Sequence, residues 1–224
     1  MSNNSEGMLD KKSFFVSTIL DWETVNYRQF PWRNLKDNPF GVLVAEILLI
    51  QTFAEKVAPV YSLLMQLYPT AYDLASAQVN AVEDVIRPLG LTYRASQLVS
   101  MSNVLIDKYS GKVPDDYDEL IELRGVGSYV ACSTLCFGFS RRVPIIDANV
   151  ERVIGRFFDL QWPIRDARTR REMQKLVGQL LPLKRFQEYN YGLIDFAALV
   201  CRHRRPNCGN CYLLRNCSST RWLA

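Results

Sequence analysis

Apolar residues recur along this chain at intervals of three and four. Phe15, Ile19 and Trp22 follow the i, i+4, i+7 rule; Val57, Val60, Tyr61 and Leu64 repeat it; so do Met173, Leu176, Val177, Leu180 and Leu181. Such spacing lines one face of a helix. No series of segments alternates apolar with polar residues as half-buried strands do, and no Asn-Gly or Asp-Gly pair signals a hairpin. Pro31, Pro39, Pro69, Pro88, Pro114, Pro144, Pro163 and Pro182 punctuate the chain and leave room for about ten helices. The pattern predicts an all-α fold. Met1 to Lys12 is polar and is expected to stay loose.

Length and composition narrow the class. A chain of 224 residues, 48% of them hydrophobic, suits one domain or two small helical lobes sharing a core. Nothing resembles a signal peptide. No apolar run reaches the roughly 20 residues of a membrane span, and the longest, Val42 to Ile50, is broken by Glu46. An intracellular protein without a membrane partner is expected. The net charge of +4 is mild, but its distribution is uneven. Beyond Cys201 lie Arg202, Arg204, Arg205, Arg215 and Arg221 with no acidic residue; Arg165, Arg168, Arg170 and Arg171 form a second cluster, and Arg141 with Arg142 a third. Separate basic patches suit a phosphate backbone, although a solvated basic surface would look the same.

Asp118 to Leu123 reads as one short helix and Ser128 to Phe139 as another, with Arg124-Gly125-Val126-Gly127 between them. Two glycines around one apolar residue make a tight turn, with Val126 plugging the gap. Glycines also let a phosphate approach backbone N–H groups, and the second helix presents its positive end there. On local grounds, a plain helix–helix turn and a phosphate-binding turn both fit.

Two carboxylates stand out. Asp147 precedes the apparent helix Ala148 to Ile154, as a helix N-cap does. Glu46 sits inside an otherwise apolar helix, where a carboxylate is either a satisfied structural acid or one with a raised pKa. Four of the six cysteines, Cys201, Cys208, Cys211 and Cys217, fall within 17 residues in the spacing C-x6-C-x2-C-x5-C. In an intracellular chain this reads as a metal site rather than disulfides, and zinc and an iron–sulfur cubane both accept four thiolates. Cys132 and Cys136 read as core thiols, and His203, the single histidine, as a surface residue.

The wider pattern Leu123-x-Gly125-Val126-Gly127-x-Tyr129-x-Ala131, followed by a helix, a loop bearing Gly138 and Pro144, and then Asp147, resembles the helix-hairpin-helix of the base-excision DNA glycosylases, the superfamily of endonuclease III and MutY. The resemblance runs from about Trp22 to Cys217. It implies two helical lobes with the active site between them. Residues 31–142 would form a six-helix barrel carrying the hairpin; residues 9–30 and 143–224 would form an iron–sulfur lobe. It implies that Gly125, Val126 and Gly127 hold a DNA phosphate. It also implies that Asp147 stabilises the positive sugar during glycosidic cleavage, or activates water, or attacks, with Asn149 helping to hold the site.

Glu46-Ile47-Leu48-Leu49-Ile50-Gln51-Thr52 is similar to the Glu-x-x-Leu-x-x-Thr of MutY and the thymine mismatch glycosylases, which makes Glu46 a proton donor to the leaving base. Gln51 falls where relatives fill the gap left by a flipped nucleotide. Strand-cutting members carry a lysine two residues after the second glycine; here that position is Tyr129, whose phenol cannot form an imine. A monofunctional enzyme is expected, with Tyr129 helping to shape the pocket. The cysteine spacing matches the family's 4Fe–4S loop, which settles the metal by resemblance rather than by physics.

Three details lean away from MutY: Ile50-Gln51, Pro88-Leu89-Gly90-Leu91-Thr92, and Asp147-Ala148-Asn149. The thymine-DNA mismatch glycosylases share the Asp147-Ala148-Asn149 run, the hairpin Tyr129 and the Glu46-Ile47-Leu48-Leu49 run, but carry Arg-Arg where this chain has Ile50-Gln51. The implied substrate is thymine or uracil opposite guanine in double-stranded DNA, handled by a monomer. Removal of adenine opposite guanine or 8-oxoguanine, removal of another modified base, and a non-catalytic DNA-binding module are the alternatives.

Overall fold

A computed structural model of the protein describes residues 2–33, 35, 38–161, 163, 164 and 166–219, with side chains from residue 7 onward. Every regular element among these residues is helical. Of the arginines named above, Arg165 and Arg221 lie outside the described residues. The chain divides into two compact units, one made of Met1–Arg28 with Arg142–Ala224 and the other of Gln29–Arg141.

The central unit is built around α2 (Pro39–Leu49). Asn38 caps its start, accepting from the Gly41 N–H at 2.9 Å, and Pro39 supplies the fixed φ of a first helical position. Every residue from Phe40 to Leu48 is buried, so this helix is apolar on all sides because it is covered on all sides. The helices α3 (Ala54–Leu67), α6 (Arg94–Tyr109) and α8 (Ser128–Ser133) pack on it, as does the π-helical turn Thr134–Gly138 that continues α8. Gly138 permits that contact, since a Cβ there would stand 3.0 Å from the Pro39 Cα. The shorter α4 (Ala71–Ala75) and α5 (Val79–Ile86) close the unit against α6, and α7 (Tyr117–Glu122) precedes α8.

The other unit combines α1 (Ser2–Asn26), α9 (Ala148–Phe158), α10 (Ala167–Leu180) and α11 (Phe186–Leu199), followed by the cysteine-rich segment. Its core joins Phe15, Ile19 and Trp22 of α1 to Phe157, Tyr189 and Phe196. Phe15 meets Phe157 at 4.9 Å between ring centroids, and Trp22 meets Phe196 edge-on at 5.3 Å. Burying one such ring contributes about 2–3 kcal/mol. Gly192 lets α11 approach α1, because a Cβ there would come within 2.7 Å of the Glu23 Cβ. Arg28 pairs with the buried Asp195 at 3.2 Å.

The expectation for Met1 to Lys12 is corrected: α1 begins at Ser2. Its third turn is anchored from the side. Lys11 donates to Ser218 Oγ at 2.7 Å and lies 5.0 Å from the Phe157 ring centroid, and Lys12 donates to Gln179 Oε1 at 2.7 Å. The helical reading of Ser128 to Phe139 is refined in the same way, since α8 widens into the π-helical turn at Thr134.

Candidate functional site

In the hairpin, Asp116 caps α7, accepting from the Asp118 N–H at 2.9 Å and the Glu119 N–H at 3.1 Å. The turn then closes through the Val126 N–H donating to Leu123 O at 3.0 Å. Gly125 sits at φ +89, a left-handed conformation that glycine adopts without cost. Val126 is buried, as the plug reading requires. Gly127 precedes the first turn of α8 with no side-chain cap, and a Cβ built on it would meet nothing within 4 Å. The α8 N-terminus therefore opens onto clear space. Tyr129 is half-buried in that first turn.

Glu46 is 3% exposed on α2. Ile50 to Phe53 form the turn that joins α2 to α3. Within that turn Gln51 is exposed and holds φ +55. Arg94, from the start of α6, is buried beneath it and donates to Leu48 O at 2.8 Å, to Thr52 Oγ1 at 3.3 Å and to Ile50 O.

In the other unit, Asp147 is the N-cap of α9. Its Oδ1 accepts from the Asn149 N–H at 2.9 Å and the Val150 N–H at 2.7 Å, and its Oδ2 accepts from the Asn149 amide at 2.8 Å. Asn149 Oδ1 accepts in turn from Arg152 at 2.7 Å. Arg152 is buried and also donates to Cys201 O and Ala197 O, each at 2.9 Å. The carboxylate is thus held in place by three N–H groups, and the residue that orients it is tied to the cysteine segment. One turn along α9, Glu151 faces the same charge. Burial pushes its carboxyl pKa up and Asp147 adds to that, against the opposing pull of Arg170.

The four clustered cysteines are half-buried, and none is in a disulfide. Cys201, Cys211 and Cys217 pack against the core of their unit. Arg156, one turn beyond Arg152, donates to Cys201 Sγ at 3.6 Å and to the carbonyls of Arg202 and His203 at 2.8 and 3.0 Å. The Cys217 thiol donates to Arg156 O at 3.7 Å. Burial pushes the Cys211 thiol up to about 11, with Cys201, Cys217 and Cys208 adding to it. Burial raises Cys208 and Cys217 as well, again reinforced by neighbouring cysteines. The sulfurs therefore share one neighbourhood. Even so, among the described residues no group of three or more His, Cys, Asp and Glu is arranged to hold a metal ion. An all-thiol donor set suits iron–sulfur and zinc chemistry. His203 is exposed, Cys136 is buried and Cys132 is half-buried.

The basic clusters divide. Arg202, Arg204, Arg205 and Arg215 are exposed, as are Arg168, Arg170 and Arg171, with Arg168 bonded to Glu172 at 2.9 Å. Arg141 pairs with Asp115, and Arg142 donates to the carbonyls of Pro182 and Leu181. Both arginines of this third patch are exposed while holding these partners. Sequence reasoning also missed Arg94, Arg152 and Arg156. For the latter two a signal existed: they stand four apart on a helix whose neighbouring positions Val150, Val153, Ile154, Phe157 and Phe158 are apolar.

Comparison with known proteins adds the frame. Residues 44–179 match the HhH-GPD superfamily base excision DNA repair protein family. A thymine/uracil-DNA glycosylase of Methanothermobacter thermautotrophicus is 33% identical over 93% of this chain and 94% of its own length. Another, from Pyrobaculum aerophilum, is 35% identical over 90% and 89%. The structure of a thermostable thymine-DNA glycosylase superposes with a TM-score of 0.89 at 32% identity, covering 96% of this chain and 98% of that one. A trapped endonuclease III–DNA covalent intermediate superposes with a TM-score of 0.73 at 30% identity over 83% and 85%. With more than half its length matched and the hairpin built as described, the chain belongs to the HhH-GPD superfamily of base excision DNA repair proteins.

Proposed function

We propose that this protein is a monofunctional DNA glycosylase that hydrolyses the glycosidic bond of thymine or uracil mispaired with guanine. The observation that carries this is the Asp147 carboxylate, fixed by three N–H groups at the start of the helix that follows the hairpin. A fixed anion beside C1′ stabilises the positive charge that develops on the sugar as the base departs. Glu46 gives a proton to the leaving base. Water adds its oxygen to C1′, and the products are a free base and an intact strand with an abasic site. The amides of the Gly125-Val126-Gly127 turn hold a phosphate, and Gln51 occupies the gap left by the flipped nucleotide. Mispaired bases cost less to flip, which supplies part of the selectivity. Tyr129 helps shape the pocket and, having no amine, leaves the strand uncut.

The thymine or uracil assignment rests on the two similar relatives that carry those names and on the Asp147-Ala148-Asn149 run. Residues 31–142 form the hairpin lobe in this reading, and residues 9–30 with 143–224 the cluster lobe. Cys201, Cys208, Cys211 and Cys217 would hold a 4Fe–4S cluster. When bound, such a group ties the cysteine segment together and has no open ligand position for substrate.

The test is single-turnover excision on G·T, G·U, A·G, A·8-oxoguanine and fully paired duplexes, each read with and without hot alkali. Breaks in the T or U strand that require alkali support the reading. Breaks in the A strand assign adenine removal instead, and breaks without alkali overturn the monofunctional assignment. The purified protein should be brown, absorbing broadly near ~400 nm; a colourless protein with stoichiometric zinc would replace the cluster by a zinc ion.

A further inference from the structure

Arg94 is among the largest fully buried side chains, at 1% exposure. Its guanidinium donates to Leu48 O, Ile50 O and Thr52 Oγ1, acceptors that bracket Gln51. The same turn is tightened by Thr52, whose N–H donates to Leu49 O and whose hydroxyl donates to Ile50 O, both at 3.1 Å. Gln51 is exposed at φ +55. A non-glycine residue keeps a left-handed backbone where its surroundings over-determine it. Here the surroundings are a planar guanidinium fork, which fixes two carbonyls and a hydroxyl at once. Phe53, 75% exposed, and Tyr93, 53% exposed with its ring 6.0 Å from the guanidinium, flank the same spot.

One turn further along α6, Gln97 lies against the hairpin: a Cβ on Gly125 would stand 3.4 Å from its side-chain amide. A single helix thus backs both the turn that presents Gln51 and the turn proposed to hold phosphate. We propose that Arg94 is a positioning residue for base flipping, clamping the turn after α2 so that Gln51 enters the stack at a set distance from the hairpin. The inference rests on the glycosylase reading and adds to it a residue that touches no DNA. A duplex pushes back on whatever is inserted into it. A turn tied to a buried charged fork cannot relax without leaving that charge unsatisfied, which is costly.

The test compares uracil opposite guanine with uracil opposite a tetrahydrofuran abasic analogue, where there is no partner base to separate. Arg94→Met should slow single-turnover excision from G·U by about 10- to 100-fold. On the abasic duplex it should stay within about threefold of wild type. Fluorescence from 2-aminopurine placed beside the uracil should rise with wild-type protein and not with the variant. Arg94→Lys, a charge without the fork, and Thr52→Val, which removes one acceptor while leaving Arg94 in place, should show the same substrate pattern more weakly, whether or not Arg94→Met folds. Equal losses on both duplexes would reduce Arg94 to a stability residue, and no loss on G·U would overturn the clamp. If wild-type protein cut neither duplex but still gave the fluorescence rise, the glycosylase reading would fall; the clamp would then stand if Arg94→Met abolished the rise and fall if it did not.

Discussion

Asp147 and Glu46 are both carboxylates given chemical roles, and the protein holds them in opposite ways. Asp147 is half-buried at a helix start, where backbone and side-chain N–H groups converge on both its oxygens. Such donors favour an anion and fix its direction. Glu46 sits mid-helix among Val42, Leu43, Val44, Ala45, Ile47 and Leu48, all buried. Burial makes an ionised carboxylate costly unless partners meet its charge. Environment can thus assign one group to stabilise positive charge and a chemically similar one to deliver a proton.

The largest expected effect breaks the Asp147 side of this comparison. Asparagine caps helices about as well as aspartate, so Asp147→Asn should leave thermal stability nearly unchanged. Excision should nevertheless fall by about 1000-fold or more, because the charge facing the sugar is gone. Binding to mismatched duplex should persist. Parallel loss of stability and activity would return Asp147 to a purely capping role.

Glu46→Gln should have a smaller but still large effect, about 100- to 1000-fold on excision, the usual range for a lost general acid. The comparison sharpens with a better leaving group. On 5-fluorouracil opposite guanine, the Glu46→Gln deficit should shrink while that of Asp147→Asn stays. A deficit equal on uracil and fluorouracil would mean that Glu46 does not donate to the base.

Local and spaced features were legible in the sequence. Asp147 as an N-cap, Val126 as a plug and the cysteine spacing depend on neighbours a few residues away, and the helical periods of α3 and α10 carry their own signature. What escaped depends on contacts made across the fold. Arg94 reaches Leu48, 46 residues earlier, and Arg152 reaches Cys201, 49 residues later. Nothing in the local pattern of Arg94 says that its charge faces carbonyls rather than water, and the spacing of Arg152 does not say which carbonyls it meets. The start of α1 was hidden for the same reason: Lys11 and Lys12 gain partners at Ser218 and Gln179. Arg141 and Arg142, grouped as a basic cluster in sequence, turn out to hold partners at Asp115 and at the end of the α10 region.

The smallest effect concerns Glu151, one turn along α9 from Asp147. Burial raises its carboxyl pKa above the usual 4.5; Arg170 opposes this, and the Asp147 charge adds a smaller upward push. A carboxyl whose pKa is raised on folding is stabilising in its protonated form. That contribution is full below the unfolded pKa and is lost as pH rises through the folded one. At neutral pH Glu151 therefore works against the fold. Because the side chain is only partly buried, solvent screens much of the penalty. Glu151→Gln should raise the melting temperature at pH 7 by up to about 2 °C, and the gain should vanish as pH falls below the ordinary carboxylate range. The same variant should leave excision intact, since the Asn149 and Val150 N–H groups still hold Asp147 in place. A gain that persisted in acid would assign the effect to packing, and a fall in excision would mean that Glu151 helps set the charge Asp147 presents to the sugar.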